Sequence, residues 1–214
     1  MSHFIGLCFG EFWEDSLDYY NENLEVDRYV EYTKDEAIDI AKQDHAKMYE
    51  YALNKLSESN LSSENLIYYQ NIIDKGLFLS YEDAWEIIKK KWGYKIDDDE
   101  NLTSTYNPNS KWDWYCIGGR WDGFLQLKEK DENGNPIKSN QACYKEIDWD
   151  YMFEKDIIPF CFVDYDGEWY EKGSMGWWGI VSDEQDSDQW INKFKNYISE
   201  LDEDCLVTVV DFHI

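Results

Sequence analysis

Runs of hydrophobic residues predict that the chain begins and ends in β-strands. HFIGLCF at residues 3–9 reads as a strand that starts almost at once, and CLVTVVDFHI at residues 205–214 is the strongest strand signal in the chain. Because both runs favour β-structure so strongly, we expect them to meet in one sheet. Antiparallel pairing would then bring His3 close to His213.

Helical periodicity dominates the segment between residues 34 and 92. Thr33 and Glu36 have the spacing of a capping box, and apolar residues recur at helical spacing after them. Before this segment, the acidic and aromatic residues 10–33 have only weak periodicity and are predicted to form a long loop. We predict helices over about 34–56, over about 63–74, between Ser80 and Gly93, and over about 188–200 after a cap at Ser187.

Strand signals return after Trp112. The turn sequence DENGNP at residues 131–136 predicts a hairpin between residues 121–130 and the segment after 136. A short helix is expected between Gln141 and Phe153, and IIPFCFVD reads as another strand.

The order of elements predicts an α+β fold with one mostly antiparallel sheet that unites the N- and C-terminal strands. The same fold includes a helical segment at about 34–92 and a helix at about 188–200. Residues 1–214 are read as a single domain, with residues 34–100 as a helical insertion, and two subdomains are the alternative. No Pro-rich or Ser/Gly-rich linker divides the chain.

Charge narrows the possible partners. The chain has 46 acidic and 20 basic residues, a net charge of −26, and aromatic residues make up 18% of it. Direct binding to nucleic acid or to an anionic membrane is not expected, because phosphate recognition needs a cationic face. Three interpretations stay open: an acidic surface that only confers solubility, a partner protein with a basic groove, and cation binding by clustered carboxylates.

Cysteine usage and the N-terminus favour a cytoplasmic protein. The five cysteines are widely spaced and form no C-x-x-C pair, which favours reduced thiols over a disulfide framework or a zinc site. The first residues lack the basic region of a signal peptide, and no apolar run reaches membrane-spanning length. DENGNP and DYDGEW resemble fragments of calcium loops but lack the full ligand pattern, so we expect neither a metal nor a cofactor.

The histidines at the two chain ends are one candidate for chemistry. His3 and His213 could form a site with Asp211 and with one of Cys8, Cys116 and Cys205, since a histidine beside a thiol activates it. The simpler alternative is that both histidines only hydrogen-bond at the end of the sheet. No local catalytic motif decides between the two.

A second candidate is the stretch KWDWYCIGGRWDGFL at residues 111–125, which mixes the bulkiest and the smallest side chains with an arginine. Gly118 and Gly119 permit a nest of backbone N–H groups for an anion, beside the guanidinium of Arg120. The loop GSMGWWG repeats this composition, so both loops could line one pocket. The pocket residues predicted here are Trp112, Trp114, Gly118, Gly119, Arg120, Trp121, Asp148, Met175, Trp177 and Trp178. Alternatively, Arg120 is a buried cation paired to Asp113, Asp122 or Asp148, and the glycines only let large rings pack.

Several motifs together resemble a family of uncharacterised proteins that bacteriophages, prophages and mobile elements encode. They are the MSHF start, YNENLEV, WDWYCIGGRWDGF, KEIDWDYM, DGEWYEKGSMGWWG and the VVDFHI end. The resemblance covers both ends and the middle but not residues 34–100, which vary in the family. The family often ends in DCHI, so Phe212 here argues against a role for a cysteine at that position. The resemblance implies the cytoplasm of a host bacterium and supplies no activity.

Two hypotheses for function follow. In the first, the chain inhibits a host defence protein, such as a CRISPR effector or a restriction nuclease, by mimicking the charge of nucleic acid with Asp97, Asp98, Asp99, Glu100, Glu11, Glu14, Asp15 and Asp18. In the second, it binds a small ligand or nucleotide, or acts as an enzyme, at the Trp/Gly/Arg pocket with His3, Asp211 and His213. The charge and the mobile-element context favour the first hypothesis, whereas the Trp/Gly/Arg motifs suit the second, because a pocket needs specific residues in a fixed geometry.

Overall fold

The computed structural model describes residues 2–58 and 60–214, with the main chain alone at Trp177. Contacts divide the chain into two compact units, one made of the residues up to Glu25 and Tyr106–Ile214, the other of Val26–Thr105. Within the described residues the elements are β1 (His3–Phe9), α1 (Trp13–Leu17), β2 (Tyr29–Tyr32), α2 (Lys34–Leu56), α3 (Ser63–Ile73), α4 (Tyr81–Lys91), β3 (Lys95–Ile96), β4 (Leu102–Ser104), β5 (Trp114–Ile117), β6 (Leu125–Lys130), β7 (Pro136–Ser139), β8 (Gln141–Cys143), α5 (Trp149–Glu154), β9 (Cys161–Val163), β10 (Trp169–Glu171), β11 (Ser174–Met175), β12 (Val181–Ser182), α6 (Ser187–Ile198) and β13 (Leu206–His213).

The first unit is built on a sheet that joins the two ends of the chain. Its strand order is β10-β9-β1-β13-β5, and β8 also pairs with β13. The two terminal strands are antiparallel over their whole length, from His3 opposite His213 to Phe9 opposite Val207. Among the strand pairs of the described residues, β1 and β9 alone run parallel. The predicted α+β class and the union of the terminal strands in a mostly antiparallel sheet are therefore confirmed.

Both faces of this sheet are covered, because successive side chains of β1 and β13 are buried on opposite sides. Leu7 and Val209 belong to a first core that includes Trp190 and Phe194 of α6. On the other face, Phe4, Cys8 and Phe212 belong to a second core, which includes Trp13 and Leu17 of α1. Two buried faces explain why both terminal runs are so continuously apolar.

The second unit contains the three predicted helices and a small sheet in the order β2-β4-β3. Its core includes Ala37, Ile38, Trp85 and Leu102. Thr33 caps α2 with the predicted capping box, and Ser80 caps α4.

Three local predictions differ from the structure. Residues 10–33 are not one long loop, since they contain α1 and β2. The helix α1 is only five residues long, and β2 pairs with β4, which is distant in sequence. Neither element therefore gives a clear periodicity of hydrophobic residues. The cap of α6 is Asp186 rather than Ser187. The segment from Gln141 to Phe153 begins as β8 before α5 forms.

Candidate functional site

The end of the central sheet carries ionisable side chains on the face of the first core. His3 lies directly opposite His213, and Asp211 lies two residues earlier on β13. Side chains two residues apart on a strand share a face, so the three side chains project together. The predicted approach of the two histidines is confirmed, since their ring centroids are 4.9 Å apart at an interplanar angle of 74°.

Each histidine is held through Nδ1 by its own carboxylate. His3 Nδ1 is 3.0 Å from Asp211 Oδ1, and His213 Nδ1 is 2.5 Å from Asp113 Oδ1. An ionised carboxylate only accepts hydrogen bonds, so each Nδ1 carries the donated proton. Both histidines thus hydrogen-bond at the sheet end, as the simpler alternative expected.

Asp211 joins this pair of histidines to the turn that contains Gly118 and Gly119. It is 1% exposed, and its Oδ2 accepts a hydrogen bond of 2.9 Å from the backbone N–H of Arg120. The sequence predicts an anion nest in this turn, and the anion that the backbone binds is Asp211 itself. A β-carbon on Gly119 would lie 2.4 Å from Asp211 Oδ2, and the φ of Gly119 is +55°, so this position requires glycine.

Trp114 covers the histidines from β5. Its ring stacks on His213 with centroids 5.1 Å apart and meets the ring of His3 edge-on at 5.4 Å. The residue is 43% exposed, so part of the ring remains open to solvent. We refer to His3, Asp113, Trp114, Arg120, Asp211 and His213 as the sheet-end cluster.

The interpretation of Arg120 as a buried cation is wrong. Its side chain is exposed and makes no ion pair among the described residues. The carboxylates predicted as its partners are engaged elsewhere: Asp113 with His213, Asp122 with Asn140 and Asp148 with Lys130. Arg120 therefore presents a cation at the surface, while its backbone N–H contacts the buried Asp211.

The cysteines do not form an activated thiolate with the histidines. Cys116 lies opposite Asp211, and burial followed by the negative charge of Asp211 raises its pKa, which keeps the thiol protonated. Cys8 faces the second core, where burial raises its pKa well above the ordinary value. Cys205 precedes the far end of β13, and burial raises its pKa as well.

Four of the predicted pocket residues pack on a core or cap a helix. Trp112 is buried in the second core, where its Nε1 donates to a backbone carbonyl of α1. Trp121 packs on the first core and Met175 on the second. Asp148 caps α5 and pairs with Lys130 over 2.9 Å, an interaction that is the main reason its pKa is lowered. None of these four is part of the sheet-end cluster.

The loop GSMGWWG is hydrogen-bonded to Ser2. Ser2 Oγ donates to the carbonyl of Gly176 over 3.0 Å and accepts from the N–H of Gly179 over 2.5 Å. Ser2 and His3 are successive residues, so this loop lies at the same end of the sheet as the sheet-end cluster but on the face of the second core, to which Met175 belongs. The side chain of Trp178 is exposed, whereas the side chain of Trp177 lies outside the described part of the chain.

Sequence reasoning did not find Asn140. Its Oδ1 accepts from the N–H of Gly123 over 2.6 Å, and its carbonyl accepts from the N–H of Val209 over 2.8 Å. Asn140 thereby fixes the turn after β5 against β13, which brings Arg120 to Asp211. Its position at the return of the predicted hairpin is the only local signal, because its partners lie far away in sequence.

The two predicted acidic clusters, residues 97–100 and residues 11–18, belong to different units. They differ in how many of their carboxylates are bound by other groups of the chain. Asp97 accepts hydrogen bonds from the backbone N–H groups of Asp99 and Asn101, and Glu100 pairs with Lys34 over 2.7 Å. Asp98 and Asp99 remain exposed. All four carboxylates of the other cluster are exposed and make no ion pair with a described residue: Glu11, Glu14, Asp15 and Asp18.

A groove of about 590 Å³ lies where β1 runs into α1, at the opposite end of β1 from the sheet-end cluster. None of the described residues that line it is a lysine, arginine or histidine. Phe12 is 76% exposed there and Tyr165 is 69% exposed, which leaves two aromatic rings uncovered. We refer to the following lining residues as the acidic groove: Glu11, Phe12, Tyr165, Glu200, Asp202 and Asp204.

Of the four carboxylates in the acidic groove, only Asp204 makes an ion pair with a described residue, Lys145. The ring of Tyr165 reaches the groove because position 10 is glycine: a β-carbon there would lie 3.2 Å from the ring, and the φ of Gly10 is +94°. Exposed aromatic faces beside unpaired carboxylates suit a cationic group.

The described residues contain neither a metal-binding group nor a membrane-spanning helix. No group of three or more His, Cys, Asp or Glu side chains is arranged to hold a metal ion over residues 2–58 and 60–214. Over the same ranges, every helix is too short or too polar to cross a membrane.

No family model, curated protein or solved structure matches this chain. The resemblance to phage-encoded proteins therefore stays a prediction.

Proposed function

We propose that the chain binds a basic, nucleic-acid-binding defence protein of a bacterial host and inhibits it by occupying the site that nucleic acid would use. The observation that carries this proposal is the acidic groove. It combines exposed aromatic rings with four carboxylates, of which only Asp204 makes an ion pair with a described residue, and none of its described lining residues is basic. Arginine is recognised by this combination, because its guanidinium pairs with carboxylates and stacks on rings.

Glu11 connects the acidic groove to the predicted partner-binding residues in α1 and at its C-terminal end. Glu14, Asp15 and Asp18 follow it and are exposed, so carboxylates extend from the groove along the surface of the same unit. With a net charge of −26, the chain attracts a basic partner from a distance. We expect association to be fast and to weaken as salt rises.

The test is capture of host proteins on the tagged chain at low and at raised salt. One variant neutralises the groove: Glu11→Gln, Glu200→Gln and Asp202→Asn. A matched control removes the same charge from exposed positions of the same unit outside the groove: Glu129→Gln, Glu132→Gln and Asp150→Asn. Exposed ion pairs contribute about 0.2–1 kcal/mol each, so we expect the groove variant to bind its partner roughly tenfold more weakly.

A nucleic-acid-binding protein that dissociates with salt, and that the groove variant alone loses, would support the proposal. Capture of no host protein at low salt would sink it. Equal weakening by the two variants would show that only net charge matters and would remove the groove from the proposal.

A second function, binding of a small nucleotide, is favoured by one feature of the sheet-end cluster. Arg120 is an exposed cation without an ion pair among the described residues, and Trp114 next to the histidines offers a ring on which a base can stack. Equilibrium dialysis with AMP and cyclic di-AMP, using wild type and Arg120→Ala, tests it. Equal retention of these nucleotides by the variant, or none by wild type, would contradict it.

A further inference from the structure

The two histidines of the sheet-end cluster have the arrangement of a proton-donating and a proton-accepting group around one ligand. They lie opposite each other on neighbouring strands, with ring centroids 4.9 Å apart. Separate carboxylates hold them, so neither histidine competes with the other for its partner. Two imidazoles at this spacing can contact the same small group of atoms.

The carboxylates also determine which nitrogen is free to react. Asp211 and Asp113 fix the proton on Nδ1 of His3 and His213, which leaves both Nε2 atoms for proton exchange. No described residue hydrogen-bonds to either Nε2. A neutral imidazole then accepts a proton at Nε2, and an imidazolium donates one there.

The surroundings suit a phosphate-bearing ligand with an aromatic ring. Arg120 supplies an exposed cation whose own backbone N–H is fixed by Asp211. Trp114 packs one face on His213 and is 43% exposed, so a base can stack on the uncovered part. The overall charge of −26 works against a long polyanion, which favours a small nucleotide over a nucleic acid strand.

We propose that His3 and His213 act as a general acid–base pair that hydrolyses a phosphodiester bond in a small nucleotide. This rests on the second function proposed above and is independent of the acidic groove. One histidine takes a proton from water as the water oxygen bonds to phosphorus. The other gives its proton to the ribose oxygen as the phosphorus–oxygen bond to that oxygen breaks. The products are a phosphomonoester and a hydroxyl group, and a proton exchange with solvent restores the pair.

Polar and charged groups from the neighbouring strands surround the two histidines. Asp211 lies on β13, two residues before His213. Cys116 lies in β5, Asp113 directly precedes β5, and Arg120 follows it. Because one histidine must be neutral and the other protonated, turnover is expected to have a bell-shaped dependence on pH.

The test uses the full chain with cyclic AMP and cyclic di-AMP as probes and separates products by chromatography. His3→Asn and His213→Asn are the informative variants, because the amide N–H of asparagine mimics Nδ1 and can keep the bond to each aspartate while Nε2 is lost. Proton transfer by one group contributes about 100-fold or more, so we expect each variant to lose at least that factor in turnover. His45→Gln in the other unit is the control and should turn over at the wild-type rate. Circular dichroism checks that each variant is folded.

Turnover of a probe that falls in both folded variants, with a bell-shaped pH profile in wild type, would support the proposal. Wild-type rates in either variant would overturn it. Binding of a nucleotide without any turnover would overturn the acid–base role and leave nucleotide binding intact. Neither binding nor turnover of the probes would overturn both.

Discussion

The sheet-end cluster and the acidic groove lie at opposite ends of β1 and β13, and both depend on carboxylates. Asp211 is buried and shares its two oxygens between His3 and a backbone N–H, so its position is fixed. Glu11 and Asp202 are exposed and make no ion pair with a described residue, so their charge is available to a partner. Burial therefore decides whether a carboxylate orients another side chain or attracts a separate molecule.

The largest expected difference between the regions is in stability. Asp211→Ala removes the acceptor from two donors at a buried site, and we expect a loss of about 3 kcal/mol in the free energy of unfolding. Glu11→Ala removes an exposed carboxylate and should change that free energy by less than about 0.5 kcal/mol. Urea denaturation measures both. Similar values for the two variants would mean that Asp211 does not hold the sheet end together.

Two glycine-to-alanine substitutions test how rigidly the turn after β5 is held against Asp211. Gly119→Ala places a β-carbon 2.4 Å from Asp211 Oδ2, whereas the β-carbon of Gly134→Ala has no atom of a described residue within 4 Å. Both glycines have positive φ, +55° for Gly119 and +82° for Gly134, so both variants carry backbone strain, and Gly119→Ala adds the contact with Asp211. We expect Gly119→Ala to cost about 2 kcal/mol more than Gly134→Ala in thermal or urea unfolding. Equal costs would show that the turn moves away from Asp211 freely.

The terminal strands were predictable because two buried faces make their runs continuously apolar, and the meeting of His3 with His213 follows from antiparallel pairing. The helix caps Thr33 and Ser80 were predictable because capping is local. The partners of Asp211 and Asp113 were not, because each contact joins residues about 100 or more positions apart and depends on the register of three strands. The acidic groove was missed for the same reason: Phe12, Tyr165 and Glu200 come from three separate segments.

Variants of the acidic groove should distinguish the contribution of charge to partner binding from that of aromatic stacking. We expect Glu11→Gln to weaken binding of an arginine-rich peptide and to reduce the dependence of its affinity on salt, because one ion pair is lost. Phe12→Ala and Tyr165→Ala should each weaken binding by roughly fivefold without changing that dependence, since a ring over a guanidinium contributes about 0.5–1 kcal/mol at an exposed site. Fluorescence titration at several salt concentrations measures both quantities. If the aromatic variants alter only the salt dependence, the rings do not contact the peptide.

The smallest expected effect concerns Cys116, and it tests whether the sheet-end cluster activates a thiol after all. Burial and the charge of Asp211 raise the pKa of Cys116 in the folded chain, so its thiolate fraction should stay low at neutral pH and increase only when pH rises above the value for a free thiol. Alkylation by iodoacetamide, followed at Cys116 by peptide mass spectrometry, should be slower than for a free cysteine peptide at pH 7 and should accelerate with pH. Asp211→Asn removes the negative charge and should speed the reaction at a given pH, provided that the variant stays folded. Rapid alkylation at neutral pH that His3→Asn abolishes would mean that the histidines generate a thiolate, and the acid–base proposal would give way to a nucleophilic one.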